Sequence, residues 1–195
     1  YLIRCKLPQV LKKRCLTASF FFAQNLIWNM TMNDKLKLYR VTDHYLDFLR
    51  KVEPKIPENK DNGKARPFVG IILSINGVKY IAPLSSQIRK SQSDFKVKSG
   101  DEQKATIRFA YMFPIVDSAL IEIDYTEEYK IDFNYTALLI KEDLYINQHK
   151  ERIHEIATKT YTNTITKRFG FENFCCDFAK LEEIYREYLK KERTI

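Results

Sequence analysis

Glycine is scarce in this chain, five in 195 residues, and none of the five falls in a GxGxxG or GxxxxGK spacing. That argues against the glycine-rich loops that cradle nucleotide phosphates. Cysteine is sparse and badly spaced for chemistry. Cys5 and Cys15 lie near the start, Cys175 and Cys176 are adjacent, and no CxxC or Cys/His ligand spacing occurs. Neither a disulfide framework nor a structural zinc site is expected, and a reducing, cytoplasmic setting fits. The three histidines, His44, His149 and His154, are dispersed, so no metal and no cofactor is expected. No apolar run has the length of a membrane span, and internal repeats and low-complexity tracts are absent.

What the chain does have is aromatic bulk and an uneven charge. Twelve tyrosines, thirteen phenylalanines and 45% hydrophobic residues suit one globular domain with a real core. The formal charge is +8. Residues 1–32 supply +5 of it through Arg4, Lys6, Lys12, Lys13 and Arg14, with no acid. Residues 60–108 hold ten basic and four acidic side chains, whereas residues 109–132 hold one basic and six acidic. A domain polarised in this way is suited to a polyanion; an ordinary solvated basic loop is the alternative reading.

The basic segment coincides with the strongest local signal in the chain. Two β-rich runs, from Phe68 to Ile75 and from Val78 to Leu84, flank Asn76-Gly77. That pair marks a two-residue hairpin turn, because both central residues of a type I′ turn need φ > 0. The first run is apolar almost throughout and is expected to be covered on both faces. Pro83, with no N–H to donate, is expected to stop the second. Beyond it come two hydroxyls, Ser85 and Ser86, and two cations, Arg89 and Lys90.

Residues 1–32 read as a basic, apolar leader that is expected not to belong to the domain, with the native start at Met30 or Met32. A leader of this kind also admits a third reading, an exported or membrane-associated basic protein. From residue 33 to 195 a single domain is expected. Leu36–Val41 alternates as a half-buried strand does. Thr42 or Asp43 can cap a helix with Tyr45, Leu46 and Leu49 on one stripe, ended by Pro54 and Pro57. Short strands are expected near Asp94–Val97, Thr106–Phe109 and Leu120–Ile123. Asn134 is placed as the cap of a first later helix, residues 143–168 as one long helix stopped by Gly170, and Asp177 as the cap of the last. The fold class is α+β: a compact, strongly twisted, mainly antiparallel sheet wrapped by helices.

An ordered series of fragments carries a family resemblance. They are Lys37-Leu38-Tyr39 with Tyr45, Ile56-Pro57, Pro67-Phe68-Val69-Gly70-Ile71 and Lys79-Tyr80-Ile81-Ala82-Pro83-Leu84-Ser85-Ser86. Met112-Phe113-Pro114-Ile115, Cys176-Asp177-Phe178, Leu181-Glu182-Glu183 and Tyr185-Arg186 follow in the same order. The series, over residues 36–190, resembles the ToxN/AbiQ endoribonuclease toxins of type III toxin–antitoxin and abortive-infection (phage-defence) systems. The resemblance implies a fold related to MazF-type toxins. It also implies metal-independent cleavage of adenine-rich RNA to a 2′,3′-cyclic phosphate and a 5′-hydroxyl. The toxin would process its own repetitive RNA antitoxin and remain held by the resulting pseudoknots in a closed protein–RNA oligomer.

Carried over by position, the family's site falls on Arg66 before the first strand and on Ser85 and Ser86 after the second. The family's Pro-Lys continuation is replaced here by Gln87-Ile88, so Arg89 or Lys90 is the expected second cation. Arg66 stands where a lysine is common and cannot serve as a base, because a guanidinium does not give up its proton. Ser85 is either a second donor or a strand-end residue bonding its own backbone. Tyr45 either meets RNA, by stacking or through its hydroxyl, or packs helix on sheet. Lys60, Lys64, Lys96 and Lys98 are candidates for the phosphate track of an RNA partner. Both departures from the family fall in the site, so an RNA-binding module with impaired catalysis is the alternative function.

Overall fold

The structure, a computed structural model, describes residues 35–59, 70–88, 91–99 and 102–192. The compact unit from Leu36 onwards is built on strands β1 (Leu38–Val41), β2 (Gly70–Ile75), β3 (Val78–Ser85), β4 (Asp94–Ser99), β5 (Glu102–Arg108), β6 (Phe113–Pro114) and β7 (Leu120–Glu122). The helices are α1 (Asp43–Arg50), α2 (Tyr125–Ile131), α3 (Phe133–Gln148), α4 (Lys150–Ile165), α5 (Phe171–Phe174) and α6 (Phe178–Glu192). All seven strands join one antiparallel sheet in the order β4-β5-β3-β2-β1-β7, with β6 added against β3.

The central hairpin forms as its turn chemistry requires. Asn76 and Gly77 both take positive φ, 51° and 79°, and Ile75 pairs with Val78 across them. Two expectations about its strands need correction. Leu73 and Ile75 are buried but Ser74 between them is exposed, so this end of β2 is covered on one face and not on both. Pro83 does not end β3 either. On one edge β3 pairs with β2 as far as Pro83; on the other it pairs with β6 at Tyr80 and Ile81, then with β5 at Leu84 and Ser85. Proline falls in the gap between the two partners on that second edge. There a missing N–H costs no ladder bond, and the strand runs on to carry Ser85.

Gly70 is the tightest point of the sheet. It lies opposite Tyr39 of β1 and Pro83 of β3, so strands hold it from both sides. A Cβ there would sit 2.6 Å from the Ala82 carbonyl oxygen and 2.7 Å from Ile81 Cγ1. Only a residue without a side chain allows β2 this close to β3.

The helices close over the apolar face. Tyr45, Leu46 and Leu49 of α1 are fully buried, as the stripe predicted, and Phe178, Leu181 and Ile184 of α6 form the matching stripe. Asp177 caps α6, its carboxylate accepting the Lys180 N–H at 3.1 Å. The buried Glu53 ties the loop after α1 to this point, accepting the Asp177 N–H at 2.9 Å. Glu182 of α6 accepts hydrogen bonds from the hydroxyls of Tyr80 (2.7 Å) and Tyr161 (2.8 Å) and pairs with Arg186. Burial, and then the bond to Glu182, raise the Tyr80 phenol far above its ordinary range, so it remains a donor.

Three helix expectations change. α2 was not foreseen: it buries no residue and so has no apolar stripe to announce it, and it is set up by Asp124, which accepts the Thr126 and Glu127 N–H groups. The cap of α3 is Asp132, not Asn134, accepting the Tyr135 N–H at 2.9 Å. The single helix over 143–168 is two, because His149 turns its Nδ1 onto the Tyr145 carbonyl at 2.8 Å and leaves helical geometry between α3 and α4. α4 ends at Ile165, ahead of Gly170, whose φ of 70° opens α5 instead. Among the described residues no helix is long and apolar enough to cross a membrane.

Substituting Gly70→Ala is expected to lower unfolding stability by about 1–3 kcal/mol, the range for overpacking. Urea denaturation of the two proteins measures it; an unchanged midpoint would show that the close approach of β2 to β3 does not depend on the missing side chain.

Candidate nucleic-acid interface

The open end of the hairpin is built by register. Gly70 opens β2 directly opposite Pro83, two residues before Ser85 ends β3. The start of β2 and the end of β3 therefore lie at the same end of the sheet. Arg66 lies outside the described residues, as do Arg89, Lys90, Lys60 and Lys64. Arg66 precedes Gly70 by four residues, a span of at most about 14 Å.

Ser85 and Ser86 differ. Ser85 is half-buried, and its Oγ accepts the Gln87 N–H at 3.2 Å, which is the backbone-bonding alternative for a strand-end serine. Ser86 is exposed at the bend where β3 ends, and its hydroxyl makes no hydrogen bond to any described residue. The first hydroxyl shapes the exit, and the second is available to a ligand.

Ser85 also lies on a line that crosses three strands. It pairs with Thr106 of β5, and Thr106 pairs with Lys96 of β4. Directly paired residues point to the same face, and neighbouring strands are about 4.8 Å apart. Lys98 follows Lys96 on that face. The intervening Phe95 and Val97 turn the other way, Val97 fully buried and Phe95 against Tyr145 and His149. Lys96 and Lys98 are exposed, and among the described residues neither makes an ion pair. Some other described lysines do: Lys79 with Asp117, Lys37 with Glu122, Lys130 with Glu127, and Lys104 with Glu102. A register shift between Val97 and Lys98 lets Gln103 fold back, and its Nε2 donates to Thr106 Oγ1 at 2.9 Å. Thr106 is thereby satisfied and fully buried beneath the cationic row.

The candidate Tyr45 is elsewhere. Its ring is fully buried, edge-on to Tyr188 at 5.0 Å, and its hydroxyl donates to the Pro114 carbonyl at 2.8 Å. With no exposed ring face and its proton engaged, it takes the helix–sheet packing role. Burial drives its phenol well above the ordinary range. Cys175 and Cys176 are buried free thiols, likewise raised by burial, and belong to the core. No group of histidine, cysteine, aspartate and glutamate suited to a metal ion occurs among the described residues.

This arrangement of sheet, hairpin exit and helical cover has relatives. The family model for the ToxN toxin of type III toxin–antitoxin systems matches residues 37–186. The chain belongs to the ToxN family. It is 32% identical over 175 residues to the endoribonuclease ToxN of Bacillus thuringiensis subsp. kurstaki, covering 85% of this chain and 90% of that protein. It is 27% identical over 191 residues to the endoribonuclease AbiQ of Lactococcus lactis subsp. lactis, covering 89% and 97%. Among solved structures, one concerns the selective inhibition of a type III toxin by a non-coding RNA pseudoknot. It superposes with a TM-score of 0.71 at 31% identity, over 79% of this chain and 98% of that one. The structure of AbiQ, a lactococcal anti-phage endoribonuclease of a type III system, gives 0.67 at 25% identity, over 80% and 99%. The twisted antiparallel sheet read from the sequence is thus the ToxN/AbiQ fold.

Sequence reasoning did not foresee the line joining Ser85, Thr106 and Lys96. The alternation of Lys96 and Lys98 with Phe95 and Val97 signals which face of β4 is wet, but the pairing that puts them beside Ser85 is long-range.

Replacing Tyr45 by Phe strands the buried Pro114 carbonyl and is expected to cost about 1–3 kcal/mol of stability. RNA affinity measured on the folded variant should be unchanged; a selective loss of RNA binding at full stability would return Tyr45 to the interface.

Proposed function

We propose that this ToxN-family chain is a sequence-specific, metal-independent endoribonuclease toxin, active at the open end of the β2–β3 hairpin. The observation that supports the reading is the pairing of Gly70 with Pro83, which puts the start of β2 beside the exit of β3. The endoribonuclease relatives support the activity. In the reaction the ribose 2′-oxygen attacks the adjacent phosphorus and the bond to the 5′-oxygen breaks. A 2′,3′-cyclic phosphate forms, the 2′ proton is lost and the leaving 5′-oxygen gains one.

In this reading Arg66 and one of Arg89 and Lys90 bind the scissile phosphate, and their fixed charge favours the extra negative charge of the transition state. Ser86, exposed and without a described partner, donates to a non-bridging oxygen or holds the 2′-hydroxyl in line with the breaking bond. Ser85 bonds Gln87 and so fixes the turn that presents Ser86. Lys96 and Lys98, with Lys60 and Lys64, follow the RNA backbone. The substrate is adenine-rich RNA. The inhibitor is the chain's own repeat RNA antitoxin, which the toxin processes and which holds it as pseudoknots in a closed protein–RNA assembly.

Incubating the protein with adenine-rich RNA in excess EDTA should give cleavage with cyclic phosphate ends. Ser86→Ala should slow it by about 10²–10³-fold, the loss typical of one transition-state donor. Binding without cleavage in the wild-type protein would establish the RNA-binding module instead, and cleavage abolished by EDTA would rule out the metal-independent route.

A further inference from the structure

Arg108 ends β5 on the same face as Thr106, two residues earlier, and so on the same face as Ser85. As a diagonal neighbour across β3 and β5 it stands about 7–8 Å from Ser85. Its guanidinium carbon lies 4.0 Å from the centre of the Tyr111 ring. The 3₁₀ turn Phe109–Tyr111 that follows β5 brings that ring back beneath it. Its Nε is enclosed with no hydrogen-bond partner, and among the described residues Arg108 makes no ion pair.

The Nε of Arg40 and Arg50 is enclosed in the same way, but those two, like Arg152 and Arg186, meet a carboxylate, and Arg108 does not. Arg168 also lacks one, but it is an exposed turn residue without an aromatic platform. Arg108 is only half-buried and Nε alone is enclosed, so its terminal amino groups retain access to solvent. A ring below and a walled Nε fix the plane of the fork, which lowers the entropy lost when it grips an anion. Its register partner on β4 is Asp94, a carboxylate that offsets part of the local positive charge. Lys96 and Lys98 continue the positive face beyond it.

We propose that Arg108, oriented by Tyr111, is a binding site for one phosphodiester of the RNA strand that passes Ser85 and Ser86. The site rests on the RNA-cleaving reading but lies outside the hydroxyl–cation set of that reading. Its role is to place the strand rather than to touch the scissile bond.

The test uses the full chain and a non-cleavable, adenine-rich 2′-O-methyl oligonucleotide, with affinity followed by fluorescence anisotropy from about 50 to 200 mM salt. Arg108→Met keeps an apolar stem over Tyr111 and removes the charge. It should weaken binding roughly ten-fold and lower the slope of log affinity against log salt by about 0.7, the value for one phosphate of a single strand. Lys130→Gln, on α2 after the far edge strand β7, should change neither. Wild-type slope and affinity in folded Arg108→Met, or an equal loss in Lys130→Gln, overturns the site and leaves the nuclease reading standing. A wild-type protein that neither binds nor cleaves RNA overturns both. If Arg108→Met does not fold, Arg108→Lys decides. It should keep the slope and lose affinity, since a lysine neither forks nor stacks as arginine does, and a folded Lys variant with wild-type affinity overturns the site.

Discussion

One close approach governs this molecule: β2 lies against β3 at Gly70 with no room for a side chain. The Ala82 carbonyl and Ile81 Cγ1 occupy the space a Cβ would need, while Tyr39 and Pro83 pair with Gly70 from either side. Tyr80, Ile81, Ala82 and Pro83 are consecutive and all buried, so β3 is covered on both faces here, and the register is held by the close fit at Gly70 rather than by alternation. That register decides where β3 changes partners, and therefore where Ser85 meets Thr106 and the chain turns out at Ser86.

The proposed function rests on what this end of the sheet presents. A rigid strand delivers the Ser86 hydroxyl, which has no partner among the described residues, next to a strand face that carries Lys96, Lys98 and Arg108 with one carboxylate, Asp94. Several other described lysines and arginines, Lys37, Arg40, Lys79 and Arg186 among them, are paired with carboxylates. An RNA strand supplies what such a surface lacks: regularly spaced negative charge and a 2′-hydroxyl. Holding that hydroxyl in line and stabilising charge on the phosphate are the main demands of the cleavage, and fixed donors on a stiff scaffold meet them without a nucleophile of their own.

Much of this was legible in the sequence because it depends on local chemistry. Asn76-Gly77 specified its turn, the stripe of α1 specified its buried face, and Asp177 specified a cap. The misreadings share a physical cause. Pro83 reads locally as a stop, yet it falls at a gap in pairing that only the sheet creates. His149 breaks a helical pattern through one side chain taking one carbonyl, which periodicity does not register. α2 buries nothing, so hydrophobic patterning passes over it. At the proposed site, Ser85 and Ser86 are legible in the sequence as hydroxyls at a strand exit, but which of them bonds the backbone and which is exposed is not. Tyr45 showed the converse. Its place on an apolar stripe and its capacity to stack are equally visible in sequence, and burial decides between them.

The central claim is that the cation before β2 and the hydroxyl after β3 act on one phosphate, and a double-mutant cycle on the cleavage rate tests it most directly. Arg66→Gln and Ser86→Ala would be compared singly and together. If both groups serve the same phosphate, the double variant should be slower than either single variant by far less than the product of the two losses, a coupling above about 1 kcal/mol. Losses that multiply, with coupling within about 0.5 kcal/mol of zero, would mean that the two act independently and that the open end of the hairpin is not a single site.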